Sequence, residues 1–370
     1  MIEVREIQNK LERLISMVDR DAGYGKQCAD LFVLLSDFAN LQLRRTRRHE
    51  VGSSPQSIAL FAGISTILTN ALYRYPEEVL AKLAIVQLEY FRQCKHNVNN
   101  CKGLHITATG AEKGIRTLYV TIASGLILSY FIPTVVQGNY SVTGCHCGAF
   151  AESDIMNYAG YKFSIQHDAD SLLRNGFAYL HAPLYHPILA LYAHVRGDLS
   201  FPDVFKLTTA LFDPSMSKYS FVGIWERHFA PCFCNAQLLM PEVEKGIVVS
   251  SKNIDEFTDT YVIGDRQLGI KSNYVGFPRK LKSQRRLQST CDVREEWNLI
   301  LDVIRTRPSQ VKDARGILVW RNAALIMSSL IKGNGVITEA MLQEQLIAFE
   351  DCHGDIVDHV NHLVRNWRST

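Results

Sequence analysis

The sequence predicts a mainly α protein of many helices, with a minor β hairpin or irregular β segment around 246–277. Three observations lead there. Apolar residues recur at helical spacing through the first third of the chain and again from 291 to the end. Short β-branched and aromatic bursts set between Gly, Asn and Asp are concentrated in 246–277. Composition is that of an ordinary globular chain: 370 residues, 47% hydrophobic, 21% charged and 10% aromatic.

Val4, Ile7, Leu11, Leu14, Ile15 and Val18 share one helical face, with charges opposite. Cys28, Leu31, Phe32, Leu35 and Phe38 form a second stripe, which ends in an arginine run and the breaker Gly52-Ser53-Ser54-Pro55. The period resumes with Ile58, Phe61, Ile64, Leu68 and Leu72. In "YPEEVLAKLAIVQLEYF", Pro76, Glu77 and Glu78 suit a helix N-terminus, through the fixed φ of proline and the helix dipole.

From Leu118 to Val136 the chain carries no charge over 19 residues. Thr121, Ser124, Gly125, Ser129 and Pro133 interrupt it and no close basic flank marks it, which favours a buried helix, or a helix followed by a strand, over a membrane span. Prolines at 183, 187, 202, 214 and 231 cut the aromatic middle into short helices. "SFPDVFKLTTALFD", capped by Ser200, is the clearest of these. The bursts "GIVVSS", "DTYVIGD" and "NYVGF" follow. The C-terminal helices carry Trp297, Ile300, Leu301 and Ile304, then "ARGILVWRNAALIMSSLI", then a last helix N-capped by Thr338. Four regions result: N-terminal helices at 1–115, an aromatic-rich helical core at 116–245, a β and loop insertion at 246–290, and C-terminal helices at 291–370.

Chemistry-bearing motifs are sparse. Gly25-Lys26 lacks both the upstream glycine and the following Ser or Thr of a P-loop, and "ATGAEKG" lacks a dinucleotide fingerprint. Nine cysteines at irregular positions do not suggest a disulfide framework. Cys145-His146-Cys147 and Cys232-Phe233-Cys234, with His228, have the wrong spacing for zinc knuckles, and no metal or other cofactor is expected. Asp355, Asp358, His359 and His362 share a face of the last helix, which reads as solvated. His167, Asp168 and Asp170, and His181 with His186, are no stronger, and no Gly-x-Ser-x-Gly elbow occurs. Arg196-Gly197-Asp198 is explained by a charged turn. The chain is therefore expected not to be an enzyme.

Two basic segments remain, in a chain whose net charge is only +3. One holds Arg44, Arg45, Arg47 and Arg48; the other holds Arg279, Lys280, Lys282, Arg285 and Arg286. Both adjoin loop signals and are poor in acidic residues, which suits contacts to RNA phosphates or to a neighbouring subunit, or the solvated ends of helices. Tyr261, Tyr274 and Phe277 lie beside the second segment, where rings can stack on unpaired bases. Acidic residues gather instead on the helix from Glu339 to Asp358, so that opposite faces suit self-association.

The stretch "FAYLHAPLYHPILALYAHVRGDLSFPDVFKLTTALFDPSMSKYSF", residues 177–221, resembles in texture the capsid proteins of small double-stranded RNA viruses of the partitivirus type. That resemblance implies an α-rich shell subunit that self-assembles through dimers, encloses RNA and resides in the virion and the host cytoplasm, without membrane or small-molecule cofactor. A nucleoprotein of a negative-strand RNA virus, gripping phosphates through both basic segments, is the alternative. A metal-dependent intracellular enzyme using the His and Asp groups at 167–186 or 353–362 is the alternative from another class.

Overall fold

The computed structural model describes residues 68–77, 79–81, 83–84, 98, 102–109, 119–138, 150–185, 210–224, 227–250, 260–274, 290, 292–331 and 336–369. These residues form an α/β fold, which corrects the mainly α expectation. Seven strands make one sheet: β1 (Leu104–Ala108), β2 (Thr134–Gly138), β3 (Phe177–His181), β4 (Tyr219–Gly223), β5 (Lys245–Ser250), β6 (Thr260–Asp265) and β7 (Gly269–Tyr274). Their spatial order is β3-β2-β1-β4-β5-β6-β7. β1 to β5 are mutually parallel, and β6 and β7 add on antiparallel. The described residues of 246–277 are thus the outer strands of a large sheet, with β6 and β7 a hairpin at its edge rather than a minor element apart. β3 and the start of β4 fall inside the segment 177–221 that resembled a helical capsid.

The uncharged run 118–136 is α1 (Val120–Leu128), a turn, and β2. No helix among the described residues is long and apolar enough to cross a membrane. α1 is buried on every side, so it shows no polar face. A side chain at Gly125 would collide with Val136, so the helix lies directly on β2. α2 (Glu152–Ala159) and α3 (Ile165–Asn175) end at Gly160 and Gly176, both left-handed, where glycine carries no steric cost. Ser164 caps α3 by accepting from the His167 N–H at 3.1 Å.

Paired residues across the sheet point to one face. Ile106, Val136, Tyr179, Phe221, Ile247 and Ile263 face a large core. That core is closed by α1, α2, α5 (Val293–Arg305), α6 (Ala314–Ile331), α7 (Glu339–Asp351) and α8 (His353–Ser369). The opposite face carries Val135, Ala178 and Leu180 under Leu172, Tyr185 and Phe212. On that face α4 (Ala230–Leu239) packs over β5 and β6, where Gly246 and Gly264 leave room for Gln237, Cys234 and Leu238. β1-α1-β2 and β4-α4-β5 progress in opposite directions, so right-handed crossovers put their helices on opposite faces.

Two of the C-terminal acidic residues, Glu339 and Glu350, are engaged within the chain. Arg321, nearly buried, forms a two-pronged contact with Glu339 at 2.8 and 3.1 Å. Glu350 accepts from Arg307 at 3.2 Å and from the Ser309 N–H at 3.0 Å. Thr338 caps α7 through the Met341 N–H at 3.3 Å. Edge strand β3 is sealed by side chains. The Tyr179 N–H donates to Tyr161 Oη at 3.0 Å, and Ser171 Oγ donates to the Phe177 carbonyl at 2.8 Å. Tyr161 and Tyr185 both donate to Asp168, which is fully buried. Satisfying an edge in this way removes a template for intermolecular pairing.

Candidate active site at the carboxyl ends of the parallel strands

Strand order reverses between β1 and β4, since β1 leads outward to β2 and β3 whereas β4 leads the other way to β5. In open α/β sheets the crevice beyond the carboxyl ends at such a reversal is where ligands bind. The rim there is built of small residues. Ala108 pairs with Gly223, Gly223 with Val249, and Gly138 with His181. Backbone without side chains lets a ligand approach the main chain closely. The Thr109 N–H donates to the Gly223 carbonyl at 2.8 Å, which extends the β1–β4 pairing past the strand ends. Residues 110–118, 139–149, 186–209, 225–226 and 251–259 follow these ends in sequence and lie outside the described residues.

Beneath the rim, β1 clamps the end of β2. His105 Nε2 lies 3.0 Å from Gln137 Oε1, and Thr107 Oγ1 donates to the Gln137 carbonyl at 3.2 Å. All three side chains are buried. His181 is buried against Phe163, and burial pulls its pKa down to about 4, so the ring is neutral near pH 7. Across the rim, Thr121 in the first turn of α1 donates to Glu152 in the first turn of α2 at 2.5 Å. The start of α1 is held from behind by Glu296, which is fully buried and accepts the Tyr119 N–H at 3.3 Å and the Thr290 N–H at 2.8 Å. Burial raises the Glu296 carboxyl above its usual range, and the bonds from Thr290 oppose that rise.

The residues singled out from sequence do not assemble here. Arg44, Arg45, Arg47, Arg48, Arg279, Lys280, Lys282, Arg285 and Arg286 lie outside the described residues, as do Cys145, His146, Cys147, His186 and the Arg196-Gly197-Asp198 turn. Tyr261 is no stacking platform: it is fully buried, and its hydroxyl donates to the Ile337 carbonyl at 2.8 Å. Cys232 and Cys234 diverge on α4, one toward Glu77 and the other 3.6 Å from the Gly246 carbonyl. On α8, His353 bonds the Ile304 carbonyl at 2.9 Å and His359 meets Ser129 at 3.0 Å. Among the described residues no group of three or more His, Cys, Asp or Glu could hold a metal ion.

What sequence reasoning missed is the rim. The available signal was a short apolar run closing on glycine and followed by helix, seen in "LHITATG", "TVVQG" and "YSFVG".

A family model described as "Glycosyl transferase family, a/b domain" matches residues 103–329, from the start of β1 almost to the end of α6. Among curated relatives, the anthranilate phosphoribosyltransferase of Ignicoccus hospitalis is 31% identical over 43% of this chain and 46% of its own length. That of Sulfolobus acidocaldarius is 26% identical over 61% of this chain and 67% of its own. The chain spans about half the length of the curated relatives it matches. The anthranilate phosphoribosyltransferase of Saccharomyces cerevisiae, solved in complex with PRPP and Mg, superposes with a TM-score of 0.74 at 15% identity, covering 100% of this chain and 99% of that one. The Thermus thermophilus enzyme gives 0.71 at 15% identity, covering 97% and 98%. Likeness at such identity shows the fold alone. The family match overturns the capsid reading, and with it the nucleoprotein alternative, RNA as partner, self-assembly into a shell, location in a virion and the expectation of no enzymatic role. It gives no support to the metal-dependent enzyme built on the His and Asp groups at 167–186 or 353–362. The chain belongs to the glycosyl transferase family whose α/β domain it carries at residues 103–329.

Proposed function

We propose that this protein is a phosphoribosyltransferase, moving the phosphoribosyl group of PRPP to the amino group of an aromatic acceptor of the anthranilate kind. One observation carries the reading: the family match covers the parallel sheet whose carboxyl ends meet at the β1–β4 reversal. In such a transfer the bond from ribose C1 to the pyrophosphate oxygen breaks and pyrophosphate leaves with the electron pair. The acceptor nitrogen bonds to C1 and gives up a proton.

The rim suits the donor. Ala108 and Gly223 end β1 and β4 without long side chains, and α1 presents its N-terminal end, which favours anions, just beyond β1. Glu296 and the His105–Gln137–Thr107 clamp fix the start of α1 and the end of β2, so this part of the rim is set before substrate arrives. Preset geometry of this kind lowers the entropic part of the barrier. Magnesium bound to the donor would offset the charge of its phosphates and help pyrophosphate leave.

Incubating the full chain with PRPP, magnesium chloride and anthranilate tests the reading. Pyrophosphate release in step with loss of anthranilate fluorescence, and an adduct of the expected mass, is the predicted result. Pyrophosphate release no faster than in buffer would remove the proposal.

A further inference from the structure

The first turns of α1 and α2 meet at the carboxyl ends of β1 and β2. Tyr119, the residue that opens α1, donates its hydroxyl to the Phe150 carbonyl at 2.7 Å, and the two rings pack with centroids 5.7 Å apart. Just inside the helices, Thr121 Oγ1 donates to Glu152 Oε1. The other carboxylate oxygen, Oε2, lies over Gly138, the last residue of β2, so closely that a Cβ there would collide with it. The Tyr179 hydroxyl reaches the same spot from β3, and the same Cβ would collide with it too. Tyr179 is fully buried, and among the described residues its hydroxyl has no hydrogen-bond partner.

A helix N-terminus carries roughly half a positive charge, and two that converge make a place for an anion. Here the place is taken by a side chain of the protein itself. Burial raises the Tyr179 phenol well above its ordinary range, and the negative charge of Glu152 beside it adds to the rise. The phenol therefore stays protonated, a donor beside the spot where Oε2 sits.

We propose that the Glu152 carboxylate is the resident anion of this junction and a specificity-determining residue, weakening the hold of the site on bare phosphate groups. The inference rests on the phosphoribosyl reading only in placing the substrate's phosphates at this rim. It assigns the site to a donor whose phosphate charge is already offset by a divalent cation, in preference to a free polyphosphate.

Calorimetric titration of the full chain with inorganic pyrophosphate in metal-free buffer tests this. Glu152→Gln keeps an oxygen to accept from Thr121 and removes the charge, so pyrophosphate should bind at least about tenfold more tightly than to wild type, or 1.4 kcal/mol. Thr121→Val loosens the carboxylate without removing its charge and should bind as weakly as wild type. Equal or weaker binding by Glu152→Gln at an unchanged melting temperature overturns the proposal, as does absence of binding by both proteins. Tighter binding by Thr121→Val also overturns it, because the hydroxyl rather than the charge would then be what opposes phosphate. Transfer activity is read separately. Active wild type with no gain in Glu152→Gln removes this inference alone, and a gain in a protein without transfer activity removes the phosphoribosyl reading alone.

Discussion

Gly138→Val should lower stability by roughly 3 kcal/mol, the upper part of the range for overpacking a closed site, and should abolish transfer activity. The cause is local. A side chain at this position would occupy the space held by Tyr179 Oη and Glu152 Oε2. Neither group has an easy retreat, since Tyr179 is fully buried on β3 and Glu152 is tied to Thr121. Gly138 also pairs with His181 across β2 and β3, so a shift of its backbone disturbs the rim on both sides. Urea unfolding measures the first effect through the midpoint at constant slope, and pyrophosphate release measures the second. A variant as stable as wild type would show that the rim is not packed as described.

The second large effect is a dependence of stability on pH set by Asp168. Burial raises this carboxyl from 3.8 to about 7, while the hydroxyls of Tyr185 and Tyr161 pull it back down. Below the unfolded value both states are protonated and the full contribution is present. Between about pH 4 and pH 7 the unfolded chain releases the proton while the folded one keeps it. The folded state then binds more protons, and stability falls as pH rises. The loss is complete once pH has passed the folded value. It amounts to about 4 kcal/mol at most, at 1.36 kcal/mol for each unit of displacement. Asp168→Asn keeps the shape and removes the titration, so its midpoint should change much less with pH over that window. Equal slopes for the two proteins would place the dependence elsewhere. The residue matters because it joins α3, the seal on edge strand β3 and Tyr185 just beyond that strand.

The C-terminal helices were legible because α5 keeps one apolar face against the core, as Trp297, Ile300 and Ile304 show. The sheet was not. "LHITA", "TVVQG" and "FAYLH" are five-residue strands buried along almost their whole length, and parallel strands covered on both faces lose the alternation that marks a strand in sequence. "FAYLH" and "YSFVG" also sit among prolines and aromatics that suggested short helices. Besides the strand offered after the helix at 118–136, only outer strands β5 and β6 were β-branched enough to stand out. The candidate site was legible only as three glycines in ordinary apolar runs, because Thr121, Gly138, Glu152 and Tyr179 come together through packing of elements separated in sequence. The basic clusters drew attention in their place because charge density is visible in one dimension, whereas a rim formed by the ends of separate strands is not.

A crystal structure of the full chain with PRPP and magnesium decides where the donor sits. The pyrophosphate is expected beyond the carboxyl ends of β1 and β2, beside Thr109, Gly138 and the first turn of α1. Density for the donor on the α4 face, at the amino ends of the strands or at the β7 edge would contradict it.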